Sequence, residues 1–564
     1  MYTNKTNILQ LAALMRSHNV KHIVITPGSR NIPLAQTFAR CKDFTCYSIT
    51  DERSAGFFAL GLALKYQTPA AVCCTSGSAL LNLHPAVAEA FYQQIPLLVI
   101  SADRPAAWIG QMDGQTLPQP GVFDSLTRHS VNLPETENEE SHWFCNRLIN
   151  EALLELNHRV KGPVHINVPI SEPFFDFPIT ELPKERVIHR YCHPDDNAMH
   201  YIKKTLSTYN KYMVVCGQDI PQSGNQLPQH LKKHCVCLAE NLYNGKEDGC
   251  LIHQADCLLA AADKEQKALL APQLVITFGG HIVSKRLKQF LRTHRPAIHW
   301  HITPDGDMPD LFGSLTAIFE MPPHLFFNLA EKAMSEQVTD TNSTVYPELW
   351  KTYSKQLPVP MFAYSEMKAI GCLIDKLNAQ CTHSNPNITL HLANSSAVRY
   401  AQFYPLNKQI TVCCNRGVNG IEGSLSTAVG YAAASTGINF VIIGDLSFFY
   451  DMNALWNEHV GNNLRILLLN NGGGEIFHAL PGLKLSGEAQ KLVTAPHDTS
   501  ARSWSTERGF GYLSAHNDTE LEQAMNLFTD IDHARQPLLL EVFTNKEEDI
   551  RQLKSYYKQL SESL

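Results

Sequence analysis

The run Phe440-Val441-Ile442-Ile443-Gly444-Asp445, followed one connection later by Ile466-Leu467-Leu468-Leu469-Asn470-Asn471-Gly472-Gly473-Gly474, decides how this chain folds. Each half is a short unbroken apolar run that stops at small and polar residues. A strand with no polar alternation is buried on both faces, as the strands of a parallel α/β sheet are. A helix near Phe448 to His459 would make the connection. In a right-handed crossover both strands then end at the carboxyl edge of the sheet, where open α/β folds bind ligands. Asp445, the amide oxygen of Asn471 and glycine-freed carbonyls suit a hard cation such as Mg²⁺, with phosphate oxygens completing the octahedron. The glycines also let a diphosphate approach the backbone. Taken singly, Gly-Asp reads as a capped turn and Asn-Asn-Gly-Gly-Gly as a loop. Two such pieces at one crossover spacing favour the binding site.

The same alternation runs backwards through the chain. In the first 180 or so residues, strands are expected at His22-Ile23-Val24-Ile25, Tyr47-Ser48-Ile49, Ala70 to Cys74 and Pro96 to Ile100, with helices at Asn7–His18, Ile32–Cys41, from Arg53 and at Ser78–Tyr92. Strand candidates return at Tyr212–Cys216, Leu274–Phe278 and Ala297–Ile302. Pro-rich, charged residues from Phe177 to Glu185 mark one boundary, and Thr, Asn, Ser and Pro between Val338 and Pro360 another. The expected fold class is therefore α/β, with three doubly wound, mainly parallel-sheet domains spanning 1–183, 184–355 and 356–564.

Composition agrees. Of 564 residues, 44% are hydrophobic and 18% charged, enough apolar surface for several buried cores. A net charge of −7 argues against a basic nucleic-acid surface. Fifteen cysteines without a CxxC pair read as reduced thiols of a cytoplasmic protein. Neither a secretory leader nor an eighteen-residue apolar span is legible, so no membrane span is expected.

Glu52 closes a strand and opens a helix, Ser54 to Leu64, that is small or apolar on every side. Such a helix must be buried all round, inside the domain or at a subunit interface. Glu52 then sits at the mouth of an apolar environment, which favours its protonated form and lets it share a proton with a heteroaromatic nitrogen. An ordinary helix-start carboxylate is the plainer reading. Thr26-Pro27-Gly28-Ser29-Arg30 and Thr75-Ser76-Gly77-Ser78 are strand–turn–helix junctions, and Arg104 in Ala102-Asp103-Arg104-Pro105 follows another strand. Exposed amides beside Ser29 and Arg30 make a carboxylate or phosphate receptor.

Together, Gly444-Asp445, Asn470-Asn471 and Glu52 resemble the thiamine-diphosphate-dependent enzymes. Within them, the closest likeness is to the family of 2-succinyl-5-enolpyruvyl-6-hydroxy-3-cyclohexene-1-carboxylate synthases of menaquinone biosynthesis. Thr26 to Arg30, Asp51 to Ala59, Ala102 to Pro105, Asn415-Arg416-Gly417, Gly444-Asp445-Leu446-Ser447 and Ile476-Phe477 carry it. The likeness is thin in the middle, where Lys285-Arg286 stands out.

This resemblance implies a thiamine-diphosphate-binding fold: a pyrimidine-binding domain, a central α/β domain, and a diphosphate- and metal-binding domain. It implies a transferase that decarboxylates 2-oxoglutarate and adds the succinyl-semialdehyde carbanion to isochorismate. Glu52 would be the catalytic acid at the pyrimidine, with Gln115, Arg399 and Arg416 as further catalytic groups. Asp445, Asn471 and Gly473 would hold Mg²⁺ or Mn²⁺. Gly417, Ile421, Leu446, Ser447, Ile476 and Phe477 would contact the cofactor, Ile421 as the wedge that keeps it bent. Ser395, Arg399 and Arg416 would receive the carboxylates of 2-oxoglutarate, and Ser29, Arg30, Arg104, Lys285 and Arg286 those of isochorismate. A homodimer or homotetramer is implied, with the cofactor between the first domain of one subunit and the last domain of another. Two dicarboxylate substrates need a concentrated positive pocket in an acidic protein, and arginines at sheet edges supply one.

Three rivals remain at this point. An acetolactate-synthase-like carboligase would act on pyruvate, which the arginine set disfavours. A nucleotide-binding oxidoreductase needs a GxGxxG after a strand, and Gly417, Gly420 and Gly423 have the wrong spacing. A non-catalytic sensor would not need Glu52, Asp445 and Asn471 together.

Overall fold

A computed structural model describes residues 1–564 apart from 186, 188–196, 222–225, 246–250, 306–308, 338–343, 384–386, 475–486 and 532–534. Its frame is three six-stranded sheets in which every strand pairing is parallel. The first comprises β1 (His22–Ile25), β2 (Thr45–Ser48), β3 (Ala70–Cys74), β4 (Leu97–Asp103), β5 (His129–Asn132) and β6 (Val164–Pro169), in the order β2-β1-β3-β4-β6-β5. The second comprises β7 (Tyr212–Cys216), β8 (Cys235–Ala239), β9 (Leu251–Ile252), β10 (Leu274–Phe278), β11 (Ile298–Ile302) and β12 (Ala317–Phe319), in the order β12-β11-β10-β7-β8-β9. The third comprises β13 (Ile388–Leu392), β14 (Thr411–Cys414), β15 (Ile438–Gly444), β16 (Leu464–Asn470), β17 (Gly511–Ala515) and β18 (Leu538–Phe543), in the order β14-β13-β15-β16-β18-β17. The third sheet thus repeats the strand order of the first.

Parallel sheets need helices on both faces, which explains why β4 and β16 are buried along their whole length. The strand order reverses direction between β1 and β3 in the first sheet and between β13 and β15 in the third. A crevice opens at the carboxyl edge of such a switch point. Thr26–Arg30 and Thr75–Ser78 flank the first crevice, and Asn394-Ser395 and Gly444-Asp445 the other.

Two helices differ from expectation. Ser78 to Tyr92 is split into Ser78–Leu81 and His84–Gln93, the second with a proline in its first turn. The helix expected over Phe448–His459 instead starts at Asp445 and ends at Tyr450, followed by a tight turn over Met452–Leu455. Asp451 explains this. Its buried carboxylate accepts the Ser426 N–H at 2.8 Å and the Ser426 hydroxyl at 2.7 Å, drawing the chain onto the helix Ser424–Ala433.

The helix Glu52–Tyr66 is capped by Asp51, whose carboxylate accepts the Ser54 N–H at 3.0 Å, and every residue from Ser54 to Leu64 is buried. It lies against Ser424–Ala433 from the third sheet's unit, so its apolar surface is covered within one chain. Polar side chains join the other units: Gln218 Nε2 donates to the Cys414 carbonyl at 2.7 Å, and Asn241 Nδ2 to the Ala401 carbonyl at 2.8 Å. Among the described residues no disulfide forms, and no helix is long and apolar enough to cross a membrane.

Candidate active site

At the β13/β15 crevice lies a cavity of about 150 Å³, lined among others by Glu366, Ser395, Ile421, Asp445, Asn471 and Gly473. Asp445 is the first residue of its helix and 3% exposed. Its Oδ1 accepts the Leu446 N–H at 2.6 Å, its Oδ2 accepts the Gly473 N–H at 3.0 Å, and His497 Nε2 lies 3.3 Å from Oδ2. Burial raises its pKa, while these N–H groups and the His497 charge oppose the rise. Gly473 has φ +145°, and a Cβ there would lie 2.7 Å from the Thr494 carbonyl, so only glycine closes this loop. Asn471 Nδ2 donates to Glu366 Oε1 at 2.8 Å. A carboxylate can only accept here, so this bond assigns the nitrogen to Glu366 and leaves the amide oxygen for the other side. The donor set is one carboxylate with neutral oxygens, which fits a hard divalent cation that keeps phosphate oxygens in its shell. Ser447 Oγ donates to the Ile421 carbonyl at 2.5 Å, and the Ile421 side chain remains exposed at the cavity rim. An apolar side chain above a polar floor suits a flat heteroaromatic ligand.

A second cavity, about 220 Å³, shares Ser396 with the first and lies between the central and last units. Lys285, Arg286 and Arg399 all line it, with Glu240, Asp256 and Tyr557. Ser395, which leads into the helix Ser396–Ala401 bearing Arg399, has φ +70°, a strained conformation for serine. Burial lowers the pKa of Arg399, and the like charge of Arg416 lowers it further. Arg416 lines neither cavity; its Nη1 donates to Asn394 Oδ1 at 2.9 Å. Gly417 and Val418 donate their N–H groups to Glu89 at 2.9 and 3.1 Å, so Gly417 faces the first unit.

The remaining residues gather on the carboxyl edge of the first sheet and line neither cavity. Burial raises the pKa of Glu52, and neighbouring Asp51 adds to the rise. Arg30 is buried, donates to the Ile170 carbonyl at 3.1 Å, and stacks on Phe174 at 4.7 Å. Arg104 pairs with Asp113 at 3.0 Å. Burial and the charge of Arg104 lower the pKa of Arg30, so the two guanidinium groups share one field. Ser29 is exposed beside them. Gln115 is exposed, left-handed at φ +56°, and packed against Gly77. Ile476 and Phe477 lie outside the described residues.

Residues 9–126 match the family described as thiamine pyrophosphate enzyme, N-terminal TPP binding domain, and residues 198–356 the middle domain of thiamine pyrophosphate enzymes. Proteins named 2-succinyl-5-enolpyruvyl-6-hydroxy-3-cyclohexene-1-carboxylate synthase align along the whole chain. That of Bacteroides fragilis is 57% identical over 99% of this chain and all of its own length. That of Bacteroides thetaiotaomicron is 55% identical over the whole of both. That of Flavobacterium johnsoniae is 39% identical over 96% of each. The chain belongs to this synthase family. It is an enzyme with the α/β fold of the thiamine-diphosphate enzymes.

For this synthase, sequence reasoning missed Glu366, Asn394, His497, Glu240, Asp256 and Tyr557. Each meets its partner across more than twenty residues, through no local motif. Only the Tyr556-Tyr557 pair in a charged helix offered a signal, as two aromatics on an otherwise polar stretch.

Proposed function

We propose that the chain is a thiamine-diphosphate-dependent 2-succinyl-5-enolpyruvyl-6-hydroxy-3-cyclohexene-1-carboxylate synthase that decarboxylates 2-oxoglutarate and joins its remaining carbons to isochorismate. The observation that carries this reading is the meeting of Arg399 with Lys285 and Arg286 in one cavity that adjoins the Asp445–Asn471 cavity. Thiamine diphosphate, when bound, supplies a carbon nucleophile and an electron sink for the departing CO₂. Mg²⁺ or Mn²⁺ would be held by Asp445, Asn471 and the Gly473 carbonyl. Ser395 and Arg399 would hold 2-oxoglutarate by its carboxylates, with Arg416 adding positive field. Lys285 and Arg286 would receive carboxylates of isochorismate, as would Ser29, Arg30 and Arg104. Glu52, whose pKa burial raises, would hold and return a proton at its carboxyl group, and Gln115 would orient polar groups beside it.

A homodimer is part of this reading. Glu52, Arg30, Arg104 and Gln115 line neither cavity of their own chain, so a second copy would bring one chain's first-sheet edge to the other's metal loop. The test is CO₂ release by the purified chain with thiamine diphosphate and Mg²⁺. Release from 2-oxoglutarate that rises strongly when isochorismate is added is the expected result. Release from pyruvate instead would favour an acetolactate-type carboligase and sink the assignment.

A further inference from the structure

The 220 Å³ cavity is bounded on one side by the chain's last helix, Lys546–Ser561, which reaches from the third unit to the second. Arg286 is held there by two residues from different units. Its Nη1 donates to Asp256 Oδ2 at 2.8 Å and to the Tyr557 hydroxyl at 3.2 Å, and its guanidinium carbon lies 4.2 Å from the centre of the Tyr557 ring. Asp256 also accepts from the hydroxyl of Ser284, the residue that caps Arg286's own helix by accepting the Leu287 N–H at 3.0 Å. Carboxylate, ring and helix start are thus tied to one guanidinium.

The plain alternative is a surface ion pair. Arg286 and Asp256 side chains are 42% and 23% exposed, and such pairs contribute little to stability. Position argues for more. Arg286, Asp256, Ser284 and Tyr557 all line the cavity that also receives Lys285 and Arg399. An arginine free to sample its rotamers loses much of that freedom on gripping a ligand, and a stacked, hydrogen-bonded one has lost it already. Only Nη1 carries the two bonds to Asp256 and Tyr557, so Nε and Nη2 keep N–H donors for a ligand carboxylate.

We propose that Asp256 and Tyr557 are positioning residues that preorganise Arg286 for a carboxylate of the acceptor substrate, making the C-terminal helix part of acceptor recognition. This rests on the proposed role of Arg286 as an isochorismate receptor. The test is calorimetric binding of isochorismate to the full chain carrying thiamine diphosphate and Mg²⁺, without 2-oxoglutarate. Arg286→Ala should weaken binding about tenfold or more. Tyr557→Leu, which keeps apolar bulk, should weaken it roughly three- to tenfold, and Tyr557→Phe, which keeps the ring, about twofold at most. The double variant should bind no more weakly than Arg286→Ala alone. In turnover, Tyr557→Leu should raise KM for isochorismate and leave KM for 2-oxoglutarate within about twofold. Wild-type affinity in Tyr557→Leu, or losses that multiply in the double variant, would overturn the clamp while leaving the functional reading intact. Unchanged binding in Arg286→Ala would overturn the role of Arg286 and the clamp with it. An Asp256→Asn variant that melts with the wild type and loses isochorismate affinity supports the clamp independently.

Discussion

Gly61 and Gly430 face each other where the Glu52 helix crosses the helix Ser424–Ala433. A Cβ on Gly61 would lie 2.2 Å from the Thr427 carbonyl oxygen, and one on Gly430 2.2 Å from the Phe58 carbonyl oxygen. The atoms in the way are backbone, so neither helix can yield without moving the other. Gly61→Ala or Gly430→Ala should therefore destabilise by about 1–3 kcal/mol, the cost of overpacking a tight crossing. A Cβ at Gly114 meets nothing within 4 Å, and Gly114→Ala should stay within about 0.5 kcal/mol of wild type. Thermal unfolding of the three variants checks this. A melting point unchanged in Gly430→Ala would mean that the helices do not touch at this depth.

Glu52 stands at the start of that helix, with its charged form disfavoured by burial. Replacing it by Gln keeps shape and much of the hydrogen bonding and removes the group's ability to ionise. Glu52→Gln should retain thiamine diphosphate affinity within a few-fold and lose about 10²–10⁴ in turnover. Cofactor titration and steady-state rates are the measurements. Turnover near wild type would remove Glu52 from the chemistry.

The strands and the two ends Asp445 and Asn471 were legible because buried parallel strands are unbroken apolar runs and their last residues stand at one edge. The helix after Asp445 was misjudged in length for a physical reason. Its end is imposed by Asp451 on Ser426, and Asn453 Nδ2 is held by Asp51 Oδ2 at 2.7 Å, a contact between the first and last units. The burial of the Glu52 helix was legible, but the surface that covers it was not, because an apolar helix does not say whether its own chain or another one packs on it. Glu366 was illegible altogether. It opens a helix more than one strand–helix unit before Asn471, and nothing local marks one buried carboxylate among the charged residues of helix starts.

That carboxylate is 1% exposed and meets the Asn471 amide nitrogen at 2.8 Å. The bond fixes which way the amide faces. With Glu366→Ala the amide can turn, and Asn471 offers nitrogen as readily as oxygen to a cation that accepts only oxygen. Metal affinity should fall about 10- to 100-fold, the usual effect of losing a group that orients a ligand. Calorimetric titration of the chain with Mg²⁺ in the presence of thiamine diphosphate reads this without turnover. Glu366→Gln should recover part of the loss, since its amide oxygen can still accept. Equal affinity in all three proteins would show that Asn471 is oriented by other contacts.

Glu240 gives a pH signature. It follows β8, half-buried in the wall of the 220 Å³ cavity, and its carboxylate accepts the Val283 N–H at 2.5 Å and the Ser284 N–H at 2.6 Å, the two residues before the Lys285 helix. Burial pushes its pKa from 4.5 up to about 7; the two N–H groups and the Lys288 charge pull against that rise, and Asp256 adds to it. Between these values the folded chain keeps a proton that the unfolded chain has released. The unfolded state then binds fewer protons, so stability must fall as pH climbs from about 4.5 to about 7 and level off above. The gap corresponds to something on the order of 3 kcal/mol. Glu240→Gln cannot ionise and lacks this slope. Unfolding measured for both proteins at pH 5, 6, 7 and 8 should show the wild type losing ground to the variant up to about pH 7 and then holding a constant offset. A difference independent of pH would mean that Glu240 ionises in the folded chain as it does outside it, and that the amides of Val283 and Ser284 offset its burial.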